Sequence, residues 1–242
     1  MTSTRHTHVL FDFFGTLVDY SASRTTQGYQ RSHELLRCYG GRLDYPDFLV
    51  EWSRVCTDFD RGSDLDDHEF TMDEVVEVFL STVLGRQPDA ADVRAFVDTY
   101  VAEWSREVRY PAGVADLLSG LADDYRLAVV SNTHHAPLVP THLAAMGVTS
   151  LFDAVITSVR VGWRKPDPRI YAAALGELGV AAESVVFVGD TIEPDYHGPR
   201  RLGMRAFLID PTGRAPVPDR HRLSSVFDLP GRLAGFTTVA PD

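Results

Sequence analysis

Apolar and polar positions follow two different rhythms along this chain, and the change of rhythm divides it. Residues 8–14 form a short apolar run that breaks at Gly15, which reads as a buried strand. From about residue 20 to residue 109 the period is helical. Met72, Val75, Val76, Phe79, Leu80, Val83 and Leu84 recur at i, i+3 and i+4 spacing, and Thr71 with Glu74 three residues on forms a capping box ahead of them. Val93, Phe96, Val97, Tyr100, Val101 and Trp104 repeat the pattern after Pro88, and residues 29–39 and 46–59 read as two more amphipathic helices. This segment predicts about four helices and no strand.

After Pro111 the rhythm becomes strand, helix, strand. Apolar, β-branched runs at 127–130, 154–157, 185–188 and 205–209 alternate with helical stretches at 138–146 and 170–178, which stop at Gly147 and Gly179. Short apolar strands alternating with helices predict an α/β fold, a Rossmann-like parallel sheet flanked by helices. The expected organisation is a core of residues 1–19 and 110–242, with an all-helical domain of residues 20–109 inserted after the first strand. The Pro-rich stretch 211–218 reads as a surface connection, and neither a repeat nor a low-complexity tract interrupts the pattern.

Composition narrows the function classes. The chain carries 34 acidic and 23 basic residues, a net charge of -11, so phosphate backbones and anionic membranes are poor partners. No run reaches the length of a spanning helix, and residues 1–8 lack the apolar core of a signal peptide. The expectation is a soluble cytoplasmic protein that acts on a small molecule, without nucleic-acid or membrane partners; no pattern sets an oligomeric state. Cys38 and Cys56 are expected to be reduced thiols, and His134 and His135, being adjacent, do not form a zinc pair on one helix face. Of the 23 basic residues only Lys165 is lysine. A single lysine in an arginine-biased chain marks a place where a compact point charge is needed and a planar fork does not fit.

Ligands of open parallel sheets bind beyond the carboxyl ends of the strands. Asp12, Ser131 and Asp190 all fall at predicted strand ends, and Lys165 follows in a loop after another. Any one of them alone reads as a helix cap or a solvated side chain. Together they bring two carboxylates, a hydroxyl and an ammonium to one edge, the set a phosphoryl site requires: a nucleophile, cation ligands, and donors for the transferring oxygens.

The residues then match a family. Residues 11–19, Phe-Asp-Phe-Phe-Gly-Thr-Leu-Val-Asp, resemble the first motif of the haloacid dehalogenase superfamily; Val130-Ser131-Asn132 resembles its second, Lys165-Pro166-Asp167 its third, and residues 188–195, Val-Gly-Asp-Thr-Ile-Glu-Pro-Asp, its fourth. The order and spacing fit over residues 9 to about 210, and the helical insert is similar to the family's small helical cap. The resemblance implies Asp12 as nucleophile, and Ser131 with the Asn132 backbone as holders of the transferring group. It implies Lys165 as the neutralising charge and Mg²⁺ held by Asp12, Asp190 and the Phe14 carbonyl, with Asp195 supporting the metal shell or orienting Lys165. Phe14, Gly15 and Thr16 would line the substrate position, and Arg24, where the chain enters the insert, is a further candidate anion contact.

One position departs from the family pattern. Its phosphatases place a second aspartate, a general acid and base, two residues after the nucleophile; here that residue is Phe14, which transfers no proton. Such catalysis is worth about 10²–10⁴ in rate. The departure leaves a stable leaving group, an acid from the insert (Tyr20 and His33 are the first candidates) or from the substrate itself, or different chemistry. The family's 2-haloacid dehalogenases carry an aromatic here but work without metal and lack the Gly189-Asp190 pair. Phosphonate cleavage needs a lysine in the insert, which has none. A binding protein that retains the fold is the third alternative, and it does not require Asp12, Lys165 and Asp190 together. The expectation is a metal-dependent hydrolase of a small organic phosphate, with dehalogenation as the alternative.

Overall fold

The computed structural model describes residues 6–21, 23, 26 and 28–237. Six strands form one sheet: β1 (His8–Phe11), β2 (Arg126–Ser131), β3 (Phe152–Thr157), β4 (Val185–Gly189), β5 (Arg205–Ile209) and β6 (Arg222–Leu223). Their order is β3-β2-β1-β4-β5-β6, and every pairing is parallel. The chain thus runs outward from β1 to β3, then returns to the other side of β1 for β4. The reversal makes β1 and β4 the topological switch point of the sheet.

The chain divides into two compact units, one of Met1–Asp19 with Tyr110–Asp242 and one of Tyr20–Arg109. The second holds helices α1 (Gln30–Cys38), α2 (Tyr45–Asp66), α3 (Met72–Leu84) and α4 (Ala90–Trp104). Their apolar stripes meet in a core centred on Phe48, Trp52, Phe79 and Phe96. The Thr71–Glu74 capping box is present at the start of α3. Helix α2 runs seven residues beyond the expected Phe59, to Asp66, through a polar stretch that offers no apolar period to read. Helix α1 has no side-chain cap of its own. Instead Glu103, fully buried at the end of α4, accepts hydrogen bonds from the Arg31 and Ser32 N–H groups at 3.0 and 2.9 Å and from Ser32 Oγ at 2.7 Å.

The sheet unit contains α5 (Val114–Ala122), α6 (Leu138–Ala145), the one-turn α7 (Ser158–Val161), α8 (Pro168–Leu178), the one-turn α9 (Gly198–Arg201) and α10 (Leu229–Thr237). Leu10, Ala128, Val130, Ala154, Ile156 and Phe187 project from one sheet face into a core closed by Ile170, Tyr171 and Ala174 of α8. The stretch 211–218 is only partly a surface connection: Val217 is buried in that same core, and Asp210 turns the chain by accepting from the Thr212 and Ala215 N–H groups. Cys38 is exposed and Cys56 buried. Among the described residues no helix is long and apolar enough to cross a membrane.

Candidate active site

Asp12 is the first residue past β1, and its N–H donates to the Val188 carbonyl of β4 at 2.8 Å, which fixes it at the switch point. The chain then turns tightly. Leu17 and Val18 N–H groups donate to the Phe13 carbonyl at 2.9 and 3.2 Å, and Gly15 N–H donates to the Val18 carbonyl at 2.8 Å. Gly15 is needed twice over. Its φ is +88°, and a Cβ there would stand 2.2 Å from Asp190 Oδ2. The loop therefore lies directly against the Asp190 carboxylate.

Lys165 joins the parts. It is 3 % exposed, and its Nζ donates to Asp12 Oδ1 and Asp195 Oδ1, both at 2.7 Å. The other Asp12 oxygen accepts from the Thr16 hydroxyl at 3.2 Å, and the other Asp195 oxygen from the Thr191 N–H at 2.9 Å. Asn132 supplies a second fastening: its side-chain amide accepts from Lys165 N–H at 2.7 Å and donates to the Lys165 carbonyl at 2.9 Å. The loop after β2 thus holds the lysine loop through a side chain, in addition to any backbone contact with a ligand. Asp167 caps α8 by accepting from Arg169 N–H, and the Arg169 guanidinium pairs with it while stacking on Trp163.

Burial would discharge Lys165, but Asp12 and Asp195 outweigh it and hold the ammonium above the ordinary lysine value. Asp190 is raised by burial and by the charge of Asp12. Asp195 is raised to about 7, chiefly by burial, with Lys165 opposing and Asp12 adding to the rise. With all three carboxylates ionised, the one ammonium leaves two negative charges unbalanced. One oxygen from each of Asp12, Asp190 and Asp195 lies within 4.8 Å of the others. An all-oxygen set with this excess charge fits a hard divalent cation such as Mg²⁺.

Ser131 ends β2, fully enclosed. Phe14 is half-buried, edge-on to Phe13 at 4.9 Å and to His142 at 6.1 Å between ring centroids. Arg24 lies outside the described residues. In the helical unit, His33 Nε2 is committed to the Leu43 carbonyl at 2.9 Å, and Tyr20 lies beside Trp104, 41 % exposed.

Sequence reasoning did not anticipate the part played by Gly189. A Cβ there would meet Asp195 Cβ and Cγ at 2.4 Å, so the glycine lets Asp195 close under the end of β4. Ser158 was also missed: its hydroxyl accepts from Thr133 N–H at 2.8 Å and ties the loops after β2 and β3 together.

Residues 6–203 match the model of the haloacid dehalogenase-like hydrolases. The chain is 40% identical over 110 residues to the human haloacid dehalogenase-like hydrolase domain-containing protein 3, a match that covers 43% of each. It is 33% identical to a phosphoserine phosphatase of Thermus thermophilus over 60% of this chain and 57% of that one. The matched part thus spans well under two thirds of either relative. In structure it resembles a 2-haloacid dehalogenase of Pseudomonas syringae, with a TM-score of 0.68 and 22% identity over 96% of this chain and 99% of that one.

Proposed function

On the premise that the chain belongs to the haloacid dehalogenase-like hydrolases and is itself a hydrolase, we propose that it hydrolyses a small organic phosphate through an aspartyl-phosphate on Asp12. The observation that carries this reading is the cluster of three carboxylates at the sheet's switch point, buried Asp12 and Asp195 paired with the Lys165 ammonium and half-buried Asp190 beside them. A site for a carboxylate substrate handled without metal has no use for Asp190 beside Asp12, since the added charge repels the substrate.

In this mechanism a carboxylate oxygen of Asp12 attacks phosphorus, the Asp12–phosphorus bond forms and the bond to the departing oxygen breaks. The departing group leaves as an oxyanion in that step. Water then attacks the phosphorus and the aspartyl bond breaks. The proton that water gives up passes through solvent to the departed oxygen, so that one alcohol and one inorganic phosphate are released. Lys165, fixed by Asp195 and by the Asn132 amide, neutralises charge on the transferring oxygens, while the Ser131 hydroxyl and the Asn132 N–H donate to them. Gly15 and Thr16 shape the loop beside the substrate. Asp12, Asp190 and the Phe14 carbonyl would hold Mg²⁺, which when bound offsets the negative charge of substrate and carboxylates. Asp195 accepts from Lys165 on one oxygen and from the Thr191 N–H on the other, so it orients the lysine while its charge supports the cation position.

Phe14 favours a second reading, 2-haloacid dehalogenation, because a departing halide needs no proton. A panel of phosphate esters and 2-chloroacids, each with Mg²⁺ and with EDTA, separates the two. Phosphate release that depends on Mg²⁺ and disappears in Asp12→Asn and Asp190→Ala is expected. Chloride release in EDTA would overturn the proposal in favour of dehalogenation.

A further inference from the structure

Ser131 and Thr157 are register partners at the carboxyl ends of β2 and β3. Ala128, Val130, Ala154 and Ile156 all lie in the core on one sheet face. Strand alternation therefore gives Ser131 and Thr157 the opposite face in common. Each is 1 % exposed. Thr157 Oγ1 is buried without a hydrogen-bond partner, and the bond of Ser131 Oγ to the Asn132 carbonyl is 3.5 Å long, at the outer limit of such contacts. Valine has the shape of threonine and would fill the same space without an unsatisfied hydroxyl. Paired strands run about 4.7–4.9 Å apart, so a rotation about χ1 brings the two hydroxyls within reach of each other.

We propose that Thr157 is a positioning residue for Ser131: in the occupied site its hydroxyl donates to Ser131 Oγ, and the Ser131 proton is directed at an oxygen of the transferring phosphoryl group. This rests on the phosphoryl-transfer reading above. A serine hydroxyl has one proton to give and lone pairs to receive, so accepting from Thr157 frees its proton for the ligand. Two linked hydroxyls also polarise each other, which strengthens the outer bond to an anion. The Ser158 hydroxyl, one residue on, is already engaged by Thr133 N–H and holds the end of β3 against the loop after β2.

The test compares wild type, Thr157→Val, Thr157→Ser, Ser131→Ala and the Ser131→Ala/Thr157→Val double variant. Calorimetry reads the affinity for inorganic phosphate in Mg²⁺, kinetics with p-nitrophenyl phosphate read kcat/KM, and thermal melting reads the fold. Thr157→Val should weaken phosphate binding about three- to tenfold, the range of one hydrogen bond, and lower kcat/KM similarly, with Tm unchanged or raised. Thr157→Ser should restore most of both. The double variant should be no worse than Ser131→Ala alone, because Thr157 acts only through Ser131. Wild-type behaviour of Thr157→Val, or additive losses in the double variant, overturns this inference while a weakened Ser131→Ala leaves the phosphoryl reading standing. Undetectable phosphate binding by the wild type, or unchanged affinity in Ser131→Ala, overturns both.

Discussion

Two chemically identical substitutions, Asp12→Asn and Asp195→Asn, should have different effects on stability. Both aspartates receive Lys165 Nζ on one oxygen at 2.7 Å, and they differ in the second partner. Asp12 faces the Thr16 hydroxyl, which can turn and accept from an amide; Asp195 faces the Thr191 N–H, which can only donate. An asparagine at 12 satisfies both neighbours with its oxygen toward Lys165. An asparagine at 195 sets its NH₂ against a donor whichever way it is turned. One buried donor left without an acceptor costs about 1–3 kcal/mol. At about 2–4 °C per kcal/mol for a chain of this size, Asp195→Asn should melt about 2–12 °C below wild type, and Asp12→Asn within about 1 kcal/mol of it. Thermal unfolding should be followed in EDTA, so that metal binding does not add to the native state, and at pH 8, above the Asp195 value of about 7. Turnover should vanish in Asp12→Asn despite its intact fold, because the amide cannot attack. If Asp195→Asn melts at or above Asp12→Asn, the reasoning from donor and acceptor geometry is wrong.

Three further outcomes are expected. Gly189→Ala should displace Asp195, lowering both Tm and activity, whereas Gly120→Ala, where a Cβ meets nothing within 4 Å, should leave activity unchanged and stabilise α5 slightly; equal melting temperatures would refute the close-approach argument. Asp210 is held at about 2, first by the Ala215 N–H and then by the Thr212 hydroxyl. Its folded value is depressed, so its contribution is present above the ordinary value of 3.8 and lost as pH falls toward about 2. The difference in urea midpoint between wild type and Asp210→Asn should accordingly be full at pH 7 and shrink below pH 4; a constant difference counts against the assignment. Finally, with Phe14 in place of an acid, aryl and acyl phosphates should outrun alkyl phosphates widely, and equal rates would show that another residue supplies the proton.

The sheet was legible because its strands are apolar on both faces and end at glycines or polar residues, as at Val188-Gly189-Asp190. Strand β6 was not, since two residues, Arg222 and Leu223, carry no period. The six-residue π-helical turn 192–197, which carries Asp195 back under β4, has no sequence signature either. In the site, the chemistry-bearing side chains could be read because strand ends converge on one edge in any parallel sheet. The fastenings could not. Whether Asn132 grips Lys165 or faces a ligand, and whether Asp195 receives Thr191 or caps a helix, depends on loop paths that hydrophobic pattern does not encode. His33, one of the insert residues offered as a source of the proton, holds the Leu43 carbonyl through Nε2, a partner that the helical period does not reveal.

The carboxylate that Glu103 lends to the start of α1 has a consequence for how the helical unit holds together. A helix with its own capping residue can form and fray by itself, whereas α1 takes its cap from a residue 71–72 positions further on. The loop must close before the first helix is secure, and that closure draws the beginning and end of the unit into one cooperative event. Amides in α1 should therefore exchange with solvent together with those of α4, although nearly the whole unit separates them along the chain.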